Sequence, residues 1–331
     1  MKAYISHDTA LSCWREHFPL DSEIGYPIQF HESQNYAFRK ADILSCVPES
    51  LIEPDQPVDV LVFNASNLRR SQNVNSRIWG LPVPENAFYK DRDVCVSSPE
   101  FLFLQMASRL TTAQLIALGC ELCGYYVLLP KGRQNLSAID DFPMRTVPLT
   151  NVDAIGEFLD KVKSIQPDRG PKGLREATRA LKYVIEGSLS PMETMTYMLL
   201  CLPPMLGGYG LPRPVMNEQI PLDDEAKRIA RRNDCYGDLC WKTAQLDIEY
   251  YGNVHSGPFK MRDDAGRILG IEHMGWKVIT LTCLQVLDIE RFEVVAREAA
   301  KRLRKRLYPR VVGATQERCR LHDELESWMF K

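Results

Sequence analysis

Apolar and polar positions alternate with period two over residues 236–251, YGDLCWKTAQLDIEYY. Tyr236–Trp241 and Leu246–Tyr251 form two short runs around a polar break at Lys242–Gln245, which predicts a β-hairpin. Leu239, Trp241, Leu246, Ile248 and Tyr250 fall on one face. Asp238, Cys240, Asp247, Glu249 and Tyr251 fall on the other. A turn centred between Thr243 and Ala244 sets Trp241 across from Leu246 and Asp238 across from Glu249. Directly opposed residues have Cβ atoms about 4.5–5.5 Å apart, where like charges repel. Two readings of the polar face stand side by side. Its charges are solvated, as on an ordinary half-buried strand pair. Or the two carboxylates hold a hard divalent cation, Mg²⁺ or Mn²⁺, through oxygen.

Elsewhere the pattern gives further elements. Residues 5–18 predict a helix with Ser6 as cap and Leu11 and Trp14 on its apolar stripe. Val58–Phe63 is a β-branched run and predicts a buried strand. Asn67–Asn75 reads as a loop, with short edge strands at Arg77–Val83 and Ala87–Tyr89 and another strand at Val94–Ser97. Pro99 after Ser97–Ser98 opens a helix, and a second helix runs from Thr111 or Thr112 to Tyr126. Asn151–Ser164 and Gly173–Glu186 read as amphipathic helices. Ser190-Pro191-Met192-Glu193 is a capping-box helix start, which by itself accounts for Glu193. Val215–Pro221 and Lys277–Thr282 predict strands; Lys260–Met274 and Leu287–Leu307 predict helices. Residues 309–331 read as a polar tail with one or two helical turns.

The chain thus divides into a mixed α/β module at 1–130, a connection with helices at 131–189, a strand-and-helix series at 190–307 and a polar tail at 308–331. The fold class is α/β, with a mixed central sheet flanked by helices in the C-terminal half.

Composition narrows the function. A content of 45% hydrophobic and 25% charged residues is that of a globular protein, and a net charge of −2 gives no global basic field. Contact with DNA then needs a local patch. No run approaches the 18 or so apolar residues of a membrane span, and the N-terminus lacks the apolar core of a signal peptide. Ten cysteines without such a signal suggest reduced thiols in the cytoplasm. Cys120 and Cys123 have zinc-type spacing without a second pair, and core packing is the simpler reading.

The series SPMET, GDLCW, LDIEYYGNVH and RDDAGRILGIEHMGWKVITLT resembles a PD-(D/E)XK nuclease core. Within that superfamily it is similar to the branch of very-short-patch-repair endonucleases, over roughly the last 140 residues. The piece GWKVITLT carries most of the specificity. The segment SSPEFLFLQMASRL also resembles proteins grouped with AbiE-type abortive-infection antitoxins. The nuclease resemblance implies a magnesium-dependent endonuclease acting on DNA. Asp238 and Glu249 match the metal ligands, with the Tyr250 carbonyl completing the set. Glu193 matches a helix glutamate that reaches the metal through water. His255 matches a histidine that donates a proton or contacts phosphate, and it reads equally well as a loop histidine. Arg262 and Arg267 would face the phosphate backbone.

Lys301, Arg302 and Lys305 lie in a basic cluster that suits phosphates or simply complements a helix C-terminus. One position departs from the pattern. Tyr251 stands where the superfamily has lysine and this branch has aspartate. With a pKa near about 10, tyrosine neither ligates a metal nor supplies a positive charge at neutral pH. The departure leaves a second reading open: a nuclease fold without catalysis, acting as a DNA-binding regulator or antitoxin with a cognate toxin as partner.

Overall fold

The computed structural model describes residues 3–16, 27–28, 57–67, 70–71, 73–91, 94–128, 140, 142–165, 170–252, 258–307 and 312–330. The chain forms two compact units. The first comprises residues 1–122 and 145–184, the second 123–144 and 185–331. The helices of the predicted connection therefore join the first unit, and the C-terminal segment joins the second.

The first unit holds a seven-stranded mixed sheet. Its strands are β1 (Ala3–Ile5), β2 (Pro27–Ile28), β3 (Val58–Val62), β4 (Arg70–Ser71), β5 (Val74–Ile78), β6 (Phe88–Asp91) and β7 (Val94–Ser97), in the order β2-β6-β7-β1-β3-β5-β4. Every residue of β1, β3 and β7 is buried, as their central places in the sheet require, the polar Asp59 and Ser97 included. Strands β4 and β5 occupy part of the polar stretch read as a loop. The helices are α1 (His7–Glu16), α2 (Pro99–Met106), α3 (Thr112–Leu122), α4 (Val152–Ile165) and α5 (Leu174–Leu181). Helix α2 is mostly apolar, and every residue of it but Glu100 is buried. The Ser98 hydroxyl accepts the Phe101 N–H at its start. Edge-on ring contacts join Tyr4 to Phe88 and Phe88 to Phe101 across this core. Asp59 is a buried charge in β3, and it accepts hydrogen bonds from Asn75, Arg77 and Arg109.

The second unit is built on four strands: β8 (Val215–Pro221), β9 (Asp234–Trp241), β10 (Leu246–Tyr250) and β11 (Lys277–Leu281). Their order is β11-β10-β9-β8. β8, β9 and β10 are successively antiparallel, and β11 returns parallel to β10. This is the expected mixed sheet. Around it lie α6 (Pro191–Cys201), α7 (Asp224–Ala230), α8 (Pro258–His273), α9 (Cys283–Val286), α10 (Ile289–Arg302) and α11 (Val312–Phe330). Cys235, Cys240 and Val278 from the sheet pack with Ala226 and Ala230 of α7 and Ile271 of α8.

Two elements depart from the expectation. Helix α7 follows an Asp223 cap, whose carboxylate accepts the Glu225 and Ala226 N–H groups. Helix α11 replaces the polar tail: Leu321, Leu325 and Met329 bury one stripe at four-residue spacing. Among the described residues no helix is long and apolar enough to cross a membrane. Cys120 and Cys123 are buried, in the first and second units respectively.

Candidate active site: a buried carboxylate cluster

Strands β9 and β10 pair in the register read from the sequence, Trp241 with Leu246, Cys240 with Asp247 and Leu239 with Ile248. The ladder stops there, one pair short of Asp238 and Glu249. At that point the Asp238 carboxylate replaces a backbone partner, and its Oδ2 accepts the Tyr250 N–H at 2.7 Å. The other face of the hairpin is not solvated. Asp247 is 0% exposed and Glu249 5%. The solvated-face reading is therefore overturned for these two residues.

Glycine at 237 makes room for this burial. A Cβ there would lie 2.5 Å from the Asp247 Cγ and Oδ1 and 2.6 Å from its Oδ2, closer than real contacts allow. The Asp247 Oδ1 accepts a weak hydrogen bond from the Cys240 thiol at 3.6 Å. The buried Oδ2 has no N–H donor, and Asp247 shares a side-chain hydrogen bond with the Glu249 carboxylate.

Helix α6 brings a further acid. Ser190 caps the helix, its hydroxyl accepting the Glu193 N–H at 3.0 Å. The Glu193 carboxylate reaches back to the N–H of Leu189, one residue before the cap, at 2.9 Å. The same oxygen accepts from the Asn217 amide at 2.8 Å. Asn217 lies in β8 with φ 49°, a conformation asparagine tolerates better than most residues.

Arg267, on α8, is the counter-ion. Its Nη1 and Nη2 donate to the two oxygens of Glu249, each at 2.5 Å, and Nη1 also donates to the Tyr236 carbonyl at 3.0 Å. Its side chain is only 13% exposed. Arg267 therefore turns inward to Glu249, not outward as expected of a phosphate contact.

Four carboxylates thus stand against one guanidinium, and their acidity shows it. Burial raises the Asp238 pKa well above the carboxylate range, and the charges of Glu193 and Glu249 raise it further. Burial does the same for Asp247, followed by the charge of Glu249. Burial pushes Glu193 up to about 7 against the pull of its hydrogen bonds. Mutual repulsion and desolvation both disfavour the charged forms.

The donor set suits a hard cation. All its donors are oxygens, and one buried carboxylate oxygen lacks an N–H donor. The carboxylates are not drawn tightly together, however. Among the described residues, the one group of three whose ligand atoms lie within 4.8 Å of one another is His322, Asp323 and Glu326 on α11.

Tyr251, at the departing position, shares a side-chain hydrogen bond with Asp264 of α8, and desolvation and that carboxylate raise its pKa. Tyr250 points its hydroxyl elsewhere, donating to Asp140 at 2.8 Å. His255 and the Arg262 side chain lie outside the described residues. Lys301 and Arg302 end α10 and line a separate cleft with Trp241 and Lys277, and Lys305 follows as an exposed residue. The sequence reading passed over Asn217 and Gly237. No protein-family model, curated protein or solved structure matches the chain.

Proposed function

We propose that the second unit is a nuclease-like module that hydrolyses DNA phosphodiester bonds with a divalent metal ion, Mg²⁺ or Mn²⁺. One observation carries the reading: Asp247 Oδ2 is buried without an N–H donor, in a cluster of four acids and one arginine. Buried carboxylates in such excess need either protons or a cation. Asp238, Asp247 and Glu249 would hold the ion, with the Tyr250 carbonyl as the resemblance implies. When bound, the ion acidifies a water and offsets charge on the phosphoryl group.

The chain's own groups do the rest. Glu193, held in place by Leu189 and Asn217, would reach the ion through water, as the resemblance implies. Arg267 fixes the Glu249 carboxylate by a two-point contact. Lys301, Arg302 and Lys305 meet phosphates without reading sequence.

Plasmid nicking with Mg²⁺ or Mn²⁺ tests the proposal. Cleavage by the wild-type chain, lost in both Asp238→Ala and Glu249→Ala, supports it. Equal cleavage by all three refutes it.

A second reading has its own observations. Arg267 takes both oxygens of Glu249, and Tyr251 pairs with Asp264 where lysine or aspartate would act. On that reading the fold binds DNA without cutting it, as a cytoplasmic regulator or antitoxin beside a cognate toxin. Salt-dependent DNA binding with no cleavage under either metal selects it.

A further inference from the structure

At the turn end of the hairpin, the second unit carries a cleft of about 810 Å³. It lies three residues along the strands from Asp238 and Glu249, roughly 10 Å at 3.4 Å per residue. Lys277, Lys301, Arg302 and Arg304 line it, against one carboxylate, Glu298. Lys277 also has Glu272 at 3.9 Å, a half-exposed pair that barely reduces its charge.

The cations come from separate elements. Lys301 and Arg302 end α10, and their charges suit the dipole of that helix. The dipole does not account for Lys277, which opens β11 across the cleft.

The cleft wall is also held in place. Arg302 Nε donates to the Ala244 carbonyl at 3.0 Å, and Nη2 to the Gly275 carbonyl at 3.1 Å. One guanidinium thus ties the hairpin turn to the start of β11. Gln245 Nε2 donates to the Met274 carbonyl at 3.2 Å on the same wall.

Two lining residues have backbones that favour glycine: Gln245 at φ 46° and Arg304 at φ 52°. Helices commonly end on a glycine in this conformation, because other side chains are strained there. Here the position after α10 keeps an arginine.

Trp241 contributes to the wall but not a stacking platform. It is 5% exposed, and its indole N–H donates to the Pro212 carbonyl at 2.7 Å. No free aromatic face is available there for a base. The cleft offers positive charge and hydrogen-bond donors, the chemistry of phosphate contact without base readout.

We infer that this cleft is a phosphate-binding site, distinct from the carboxylate cluster, for the phosphate of a nucleic-acid strand or of a free nucleotide. The inference does not need the catalytic reading, since cleavage depends on Asp238 and Glu249 and binding here does not.

The test uses the full chain and its Lys277→Glu/Lys301→Glu variant. Both lysines are exposed, so the variant should melt as the wild type does. A fluorescent oligonucleotide reports binding by anisotropy, and inorganic pyrophosphate and ATP report it by calorimetry. The variant is expected to bind at least tenfold more weakly. If the oligonucleotide is weakened, the slope of log affinity against log salt should shrink by nearly 2 for duplex DNA. Loss of oligonucleotide binding identifies a strand as the source of the phosphate. Loss confined to pyrophosphate and ATP identifies a free nucleotide. Binding unchanged in the variant, or no binding of any probe by the wild type, overturns the inference.

Discussion

Arg267 holds Glu249 by both carboxylate oxygens, each at 2.5 Å, with the two side chains 13% and 7% exposed. A buried pair of this kind is costly to break, because the surviving charge has no solvent to turn to. Arg267→Ala should therefore destabilise the second unit by about 3–5 kcal/mol. Urea unfolding followed by tryptophan fluorescence measures this. A change of under about 1 kcal/mol would place the pair among ordinary surface bridges.

Gly237 is predicted to be intolerant of a methyl group. Gly237→Ala drives a Cβ into the Asp247 carboxylate and should cost about 1–3 kcal/mol. The cause is testable by a double-mutant cycle with Asp247→Ala, which removes the obstructing carboxylate. In that background the glycine substitution should be close to neutral. Independent, additive effects would show that the clash is not the cause.

Glu193 should make stability fall as pH rises. Its folded pKa, about 7, lies above the unfolded value of 4.5, so the folded state binds more protons between those limits. The loss runs from pH 4.5 to pH 7 and is on the order of 3 kcal/mol. Glu193→Gln cannot ionise, and it should flatten this limb in melts recorded across the range. An unchanged slope would assign the dependence to the sheet carboxylates instead.

His7 should act on the acid side of the first unit. Burial, then the charges of Arg77 and Arg109, push its pKa down to about 3 from 6.5. The unfolded state then binds the proton first, and stability is lost as pH falls from 6.5 toward 3. His7→Asn suits the φ of 48° at this position and removes the titration. Amide exchange of β1 and β3 should lose its acid sensitivity between those limits in the variant. Equal acid sensitivity in wild type and variant would rule His7 out.

How far these features were legible depended on whether a residue's environment follows from its local pattern. The hairpin was readable because period-two alternation fixes a register, and Trp241 does face Leu246. Its burial was not readable. Asp247 and Glu249 look like solvent-facing positions until α8 delivers Arg267 from eighteen residues away in sequence. Helix α7 escaped notice because its buried residues, Ala226 and Ala230, carry little hydrophobic signal. Helix α11 was obscured differently: its stripe of Leu321, Leu325 and Met329 is embedded in charge, so its composition is that of a polar tail. Strand β5 begins within a polar stretch, yet Val74 is buried and its partner strand is the apolar β3. For the carboxylates and for β5, a long-range partner decided the outcome.

Mn²⁺ titration calorimetry tests most directly whether the carboxylate cluster holds a divalent cation. The background should be His322→Ala, which breaks the second group of metal-type side chains on α11. In that background one Mn²⁺ site is predicted, weakened at least tenfold by Asp247→Asn and by Asp238→Ala. No Mn²⁺ uptake by the background protein, or uptake that neither substitution alters, would contradict the account.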